Sequence, residues 1–377
     1  MKKFLITLLK RCGSGCSRCL RQKFLITLLK ILVSAAIIAY LFVDAVKTKN
    51  GKNVFGMMLQ EPKQWDFLAA AWLFTGVAVV LTLIRWCYLV RATGIAFRMQ
   101  DAMRIGFLGY LFNLAPMGIV GGDLLKAVML AREYHGFRAK ALASVIIDRV
   151  VGLYVLFLVA SAGILLTGFY WRPIPGVHLI CQITLALTVV GTIGVAIVLF
   201  SNVLEGAWLK RLTNLPRIGA ALGSLIEALH IYRRDRAVLL SASVMTVGVH
   251  CLLTVAIYLI ARGLPGKDLP PPPPLSTQFV IYPISSVAST VPLPAGPFEA
   301  VFVSLYTHVD VAGDLAEGQA LIIALVFRLI NVLLAVVGFG YYLGARREVA
   351  AVMHEVEEQA EEPGENPSPC CQAAVKP

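Results

Sequence analysis

Six stretches of the chain run for about twenty residues or more with almost no charge: 24–46, 67–90, 142–167, 177–200, 238–260 and 318–343. A helix rises about 1.5 Å per residue, so about 20 apolar residues cross a hydrocarbon core of roughly 30 Å. Composition points the same way, because 58% of the 377 residues are hydrophobic and only 15% are charged. A soluble domain is roughly 45–50% apolar and about 25% charged. Too few polar side chains are present to cover a water-soluble globule of this size. The expected fold class is an all-α polytopic membrane protein.

Two further apolar segments are broken by Pro and Gly: 104–121, RIGFLGYLFNLAPMGIVG, and 277–295, TQFVIYPISSVASTVPLPA. Pro116, Pro283, Pro292 and Pro294 each remove a backbone donor, so neither segment is expected to be one uninterrupted helix. Broken backbone at membrane depth is tolerated only where protein or a cavity surrounds it. Both segments therefore read as re-entrant hairpins buried among six full spans. In each, a proline precedes an acidic residue by seven positions, Pro116 to Asp123 and Pro292 to Glu299. A short helix is predicted after each, at 124–133 and 300–308, followed by a long span that carries an arginine. Asp123 to Arg149 is 26 residues and Glu299 to Arg328 is 29. Three spans separate the hairpins, so they enter from opposite faces, as in an inverted-topology repeat. Interrupted segments at corresponding positions mark the substrate site of many secondary transporters.

Charge orients this arrangement. There are 34 Lys and Arg against 22 Asp and Glu, a net charge of +12. With the N-terminus cytoplasmic, 26 of the basic residues fall on the cytoplasmic side, among them Arg85, and seven on the other. Arg328 alone is left deep in the membrane. That asymmetry follows the positive-inside rule, with both termini cytoplasmic, and scattering of the basic residues between apolar runs excludes nucleic acid as a partner. Residues 1–23 read as a basic cytoplasmic tail in which KFLITLLK (3–10) recurs at 23–30. Residues 24–345 form the transmembrane domain, and 346–377 an acidic, partly disordered cytoplasmic tail whose first part extends the last span. Residues 205–236 predict an amphipathic helix on the cytoplasmic leaflet, and the five prolines 270–274 a stiff spacer. Cys12, Cys16 and Cys19 make a CxxxCxxC run inside the tail, with no domain there to house a metal centre. Cys87, Cys181 and Cys251 read as small packing residues. No metal, cofactor or ATP-binding loop is expected.

The polar residues inside these segments carry the candidate chemistry. Gly121-Gly122-Asp123 opens a helix, with Asp123 a good N-cap; a helix N-terminus also suits a phosphate, and Lys126 one turn later can supply countercharge. The alternative is a plain capped helix with a surface lysine. Glu299 is either the cap of the second short helix or a partner for Arg328 or a cationic headgroup. An arginine near mid-span costs about 2.5–3.5 kcal/mol on insertion scales, so Arg328 must meet a partner or water. Asn331 lies on its face, three residues on. For Arg149, an ion pair with Asp148 or with Asp123 competes with a role in binding lipid phosphate, which the guanidinium fork suits. His250 reads as a packing histidine or a proton relay.

Several stretches resemble the lysylphosphatidylglycerol synthase/flippase transmembrane family: RWCYLVRATG (85–94), NLAPMGIVGGDLLKAVMLAR (113–132, from Asn113), SVIIDRVVGLY (144–154) and VPLPAGPFEAVFVSLY (291–306). The resemblance covers about 24–345 and implies a lipid-handling protein of the prokaryotic inner membrane. In multiple peptide resistance factors such a domain flips aminoacylated phosphatidylglycerol, while a separate soluble domain makes it. The 34 residues after Leu343 leave no room for that synthase. Lys126 stands where the family often carries Arg, and no basic residue precedes Glu299. The resemblance implies a non-enzymatic flippase for an anionic or aminoacylated phospholipid, or a lipid-linked molecule. Its translocation residues would be Asn113, Gly121, Gly122, Asp123, Lys126, Asp148, Arg149, Glu299, Arg328 and Asn331. The alternatives are a non-catalytic membrane partner of a cytoplasmic lipid- or glycan-modifying enzyme and a membrane-embedded headgroup transferase.

Overall fold

The computed structural model describes residues 29, 32–41, 43, 61–114, 121–134, 137–171, 177–200, 219–265, 269–291, 293, 295–309 and 315–361. The described residues are helices and short connections. In chain order the helices are α1 (Leu32–Leu41), α2 (Trp65–Ala92), α3 (Met99–Leu114), α4 (Gly122–Glu133), α5 (Arg138–Leu166), α6 (Val177–Phe200), α7 (Gly219–Arg234), α8 (Arg236–Gly263), α9 (Leu275–Ala288), α10 (Pro297–Val309) and α11 (Ala316–Glu361). Five stretches are long and apolar enough to cross a membrane: Trp65–Ala92, Lys140–Leu166, Val177–Phe200, Arg236–Gly263 and Ala316–Met353. Of the run 24–46, α1 is what the described residues contain. The duplicated KFLITLLK, the CxxxCxxC run, 201–218 and 362–377 lie outside them.

Each broken segment is two half-length helices with a gap between them. In the first, α3 and α4 pack antiparallel: a Cβ on Gly122 would lie 1.7 Å from the Gly109 carbonyl oxygen, and one on Gly109 would strike Lys126 one turn further along α4. Side chains are excluded there because the two backbones touch. In the second, α9 and α10 pack on each other, with Tyr282 and Phe298 ring centroids 6.3 Å apart. The turn before α10 requires glycine, because Gly296 has φ +109°. One expectation fails here. Pro283 sits inside α9 without ending it, and the break falls at 289–296. A proline costs one donor and a local kink, which neighbouring helices can offset.

The bundle is built twice, in opposite directions. Helices α2 and α8, which precede the two hairpins, pack antiparallel along most of their length. Gln64 N–H donates to the Gly263 carbonyl at 3.1 Å, and Gly248 lies beside Leu81. Each hairpin then packs reciprocally. Its second half lies on the arginine-bearing helix that follows it, α4 on α5 and α10 on α11. Its first half lies on the arginine-bearing helix of the other repeat, α3 on α11 and α9 on α5. Glycines permit both exchanged crossings: a Cβ on Gly338 would be 2.3 Å from the Phe107 carbonyl oxygen, and one on Gly163 would be 2.4 Å from that of Phe279. Lipid tails are as apolar as leucine, so close backbone contact through small residues is a main source of attraction between spans. The exposed apolar side chains of α6, such as Leu179, Ile183, Leu187 and Val190, mark a lipid-facing helix.

Two large buried cores result, with a smaller one at Leu89, Ala143, Ile147, Tyr232 and Ala242. One gathers around α9, α10 and α11, with Phe302, Tyr306 and Leu321. The other lies under the open end of the first hairpin, with Trp86, Phe97, Ile105 and Leu130. The last helix reaches into this second core. It bends at Ala345 and continues to Glu361, burying Val349 and Val352 against the hairpin. Arg104 of α3 fastens the same corner, bonding Glu133 at 3.0 Å and Glu348 at 3.3 Å. Helix α7 docks by Tyr232, whose hydroxyl donates to the Leu89 carbonyl at 2.7 Å.

These crossings predict an ordered substitution series. Gly122→Ala and Gly338→Ala force backbones apart and should each cost about 1–3 kcal/mol or more, read as a lower unfolding temperature in detergent. Gly121→Ala and Gly340→Ala meet open space and should unfold within a degree or two of the parent protein.

Candidate functional site

At the tip of each hairpin an acidic residue near the start of the second half-helix meets the arginine of the next long helix. In the first repeat Arg149 Nε lies 2.5 Å from Asp123 Oδ2, and Arg149 Nη2 donates to Asp123 Oδ1 at 2.6 Å. This is a two-pronged guanidinium–carboxylate pair, the strongest hydrogen-bonded form of an ion pair. In the second repeat Arg328 Nε pairs with Glu299 Oε1, while Glu299 Oε2 accepts the Gly296 N–H at 2.8 Å. Glu299 therefore performs both of its expected roles, capping α10 and pairing with Arg328. The sequence left Arg149 a choice between Asp123 and Asp148; the geometry selects Asp123.

Capping in the first repeat differs from expectation. The helix begins at Gly122 with Gly121 as its N-cap, and the Asp123 carboxylate turns to Arg149. The cap comes from across the break, where Asn113 Oδ1 accepts the Gly122 N–H at 2.9 Å. Asn113 is thus a positioning residue that joins the two halves of the hairpin tip. Lys126 is no surface lysine. It is buried, with Nζ 3.7 Å from Asp123 Oδ1 and 5.6 Å from the centre of the Trp86 ring. Asp123 is consequently shared by two cations. At the equivalent position of the second repeat, three residues after Glu299, stands the buried Phe302.

The two tips differ in access as well as charge. The side chains of Arg149 and Asp123 are 58% and 31% exposed, whereas Glu299 is fully buried and Arg328 28% exposed. A hydrogen bond links the repeats: the Tyr110 hydroxyl donates to Asn331 Oδ1 at 2.7 Å. Asn331 Nδ2 in turn donates to the Phe327 carbonyl at 2.7 Å.

Asp148 belongs to a third pair that sequence spacing did not reveal. Its Oδ1 accepts from Arg85 Nε at 2.9 Å, and Arg85 Nη1 donates to the Thr246 hydroxyl at 2.7 Å. Both partners are buried. The charge count puts Arg85 among the cytoplasmic basic residues, and the structure corrects this. Arg85 is buried inside the bundle where α2, α5 and α8 meet. Arg328 is therefore not the one arginine within the spans. The missed signal was Arg85 itself, a charge inside an apolar run. His250 lies one turn beyond Thr246 on α8, beside the backbone of Gly152. Cys87 and Cys181 are buried free thiols, as packing residues would be. Among the described residues no three His, Cys, Asp or Glu side chains come together as a metal site.

The buried Arg85–Asp148 pair should behave as a structural ion pair. Removing one member, as in Arg85→Leu or Asp148→Leu, should cost about 3–5 kcal/mol, whereas the double replacement should recover most of that loss. A double-mutant cycle on thermal unfolding checks this; additive losses would show that the two charges do not stabilise each other.

Comparison with known proteins places the same segments in one family. No curated protein matches the sequence. The family model described as the lysylphosphatidylglycerol synthase TM region matches residues 27–338, which include both hairpins and the Arg149–Asp123, Arg328–Glu299 and Arg85–Asp148 pairs. The chain therefore belongs to the lysylphosphatidylglycerol synthase transmembrane-region family and is a multi-pass membrane protein of lipid-related function.

Proposed function

We propose that the protein moves a phospholipid, or a lipid-linked molecule with a phosphate in its headgroup, from one leaflet to the other. The observation that carries this reading is the charge balance at the first hairpin tip. Among the described residues Lys126 and Arg149 share the carboxylate of Asp123, two basic groups to one acid beside an accessible guanidinium. Among the described residues the other two sites pair one base with one acid, Arg328 with Glu299 and Arg85 with Asp148. An unbalanced cation among spans is expensive unless an anion or water completes it. A lipid phosphate is such an anion, and it is abundant beside these helices.

Translocation follows from what each residue can do. Arg149 offers a fork of N–H donors matched to phosphate oxygens, and Lys126 adds a point charge behind it. Both lower the cost of taking a phosphate away from water. The opposed hairpins place a second polar tip, with Arg328, Glu299 and Asn331, on the far side of the Tyr110–Asn331 link. Passing the headgroup from the first tip to the second carries it through the repeat interface while the acyl chains stay in lipid. On this reading the protein is not an enzyme and makes no bond. Its partner is an anionic or aminoacylated phospholipid, its membrane the prokaryotic inner (plasma) membrane, and both termini lie in the cytoplasm. The 26-to-7 split of basic residues supports that orientation, and moving the buried Arg85 out of the larger group leaves the asymmetry intact.

A second reading, a docking platform for a cytoplasmic enzyme, draws on α7 and on the helical extension of α11 beyond Ala345. It predicts a stoichiometric enzyme partner and no lipid movement by the protein alone.

Leaflet exchange of labelled phospholipids in liposomes containing the purified protein separates the two. The proposed function predicts exchange that is fastest for lipids of net negative charge. Arg149→Leu and Arg328→Leu should each slow it at least tenfold. Absence of exchange for anionic, zwitterionic and aminoacylated lipids alike would reject translocation.

A further inference from the structure

A short aromatic turn, Phe169–Trp171, follows α5. Beside it is a cleft of about 290 Å³ lined by Leu165, Tyr170, Trp171, Gln182 and Leu185. Tyr170 forms a fixed aromatic wall, edge-on to Trp171 at 5.0 Å and tilted against His178 of α6 at 5.1 Å. Behind the turn, Phe169, Val177 and Cys181 are buried in the same core as Phe302 and Tyr306 of the second hairpin. The cleft is remote from the first hairpin tip. Leu165 follows Arg149 by 16 positions on α5, about 24 Å at the rise of an α-helix.

The surface around the cleft is the lipid-facing side of the bundle. Trp171 is 81% exposed and Leu179 58%, and an exposed Trp at the end of a span sits at the headgroup level. Gln182 is the exception among these apolar side chains. It is exposed beside Leu179 and Ile183, and no described residue bonds its carboxamide. Its depth follows from the length of its helix. Val177–Phe200 has 24 residues, about 36 Å against a hydrocarbon core of roughly 30 Å. Gln182 is five residues from the start, so with the helix centred it lies about 4–5 Å inside the hydrocarbon boundary. An amide left unbonded there is costly. The polar groups that a bilayer presents at this boundary are the ester carbonyls of phospholipids, which accept hydrogen bonds.

We propose that this cleft holds a resident phospholipid of the surrounding leaflet. One acyl chain lies along Leu165 and Leu185 against the Tyr170 ring, an ester carbonyl accepts from Gln182 Nε2, and Trp171 meets the headgroup region. A carboxamide offers two donors, which suits the carbonyls that every diacyl phospholipid carries. The lining residues bear no charge, so the site recognises the glycerol-ester and chain region and not the headgroup. In this it differs from the first hairpin tip, whose Arg149 and Lys126 suit a phosphate. The lipid is a fixed companion of α5 and α6, and its presence does not depend on the translocation reading.

Phosphatidylcholine brominated on its acyl chains tests this, because bromine quenches tryptophan on contact and the lipid has no net charge. The emission of Trp171 is the difference between the full-length protein and its Trp171→Phe variant. In detergent micelles that difference should fall saturably as brominated lipid is added, with a stoichiometry of one lipid per chain. Gln182→Leu should raise the lipid concentration at half-quenching about fivefold, the worth of one net hydrogen bond, whereas Arg149→Leu should leave it unchanged. Because Gln182 is exposed, its leucine variant should unfold at the temperature of the parent protein. Quenching that grows in proportion to lipid without saturating is passing contact and overturns the site. Saturation that Gln182→Leu leaves intact overturns it too, and a loss in Arg149→Leu does so by placing the lipid at the first tip. Leaflet exchange is measured separately, so failure here leaves the translocation reading standing.

Discussion

A charged side chain among membrane spans has to meet a counter-ion, and in this protein Arg149 and Arg328 meet theirs at the tips of broken helices. A carboxylate on a continuous neighbouring helix would have its own backbone fully bonded and would contribute charge alone. At a hairpin tip the acid sits beside free helix-terminal N–H groups, so one residue can serve charge and backbone together. Glu299 does this directly, holding Arg328 with one oxygen and the Gly296 N–H with the other. The first tip divides the same work between two residues, Asp123 for Arg149 and Asn113 for the Gly122 N–H. In both, the arginine fixes the tip and the tip neutralises the arginine.

Because the tips must reach the arginine helices, the packing around them is constrained as well. The half-helices cross their neighbours at glycine, with Gly122 against Gly109, Gly338 against Phe107 and Gly163 against Phe279. Such contacts are close yet carry no interlocked side chains. A hairpin crossing its neighbour this way is located there by its ion pair and by shape. Helices α2 and α8 are the opposite case, with long antiparallel contact and the buried Arg85–Asp148–Thr246 group across their junction with α5. The bundle thus combines a firmly joined centre with two tips, of which the second also packs Phe298 against Tyr282 and Phe327.

The sequence made the large features legible because they depend on local pattern. Span lengths follow from runs of apolar residues, and the place of each hairpin follows from its prolines. The recurring interval from acid to arginine anticipated Glu299 with Arg328 and gave Asp123 as one of two partners for Arg149. What stayed hidden depends on contacts between distant residues. Asp148 lies 63 positions from Arg85, and Thr246 lies 161 from it, and no spacing rule connects them. The burial of Lys126 depends on Gly109 leaving room on a helix that the sequence does not orient. Pro283 misled for a related reason: a proline removes one hydrogen bond wherever it sits, but whether the helix ends there is decided by its neighbours.

The inverted repeat is symmetric in backbone and unequal in chemistry, and a carrier has reason to be so. Were both tips to hold surplus positive charge, a phosphate would bind at each with similar strength, and leaving one would gain nothing from reaching the other. Were both balanced, no site would draw the phosphate from water at all. Lys126 gives the first tip a second basic group, whereas Phe302 stands at the equivalent place of the second. On the proposed reading, the first tip captures the headgroup and the second offers a polar but weaker stop from which release is easier. A ligand shifts a conformational balance only as far as its affinities for the two states differ. The substitution of one side chain between two otherwise equivalent helices supplies that difference, and it does so without disturbing the ion pairs that hold both tips in place.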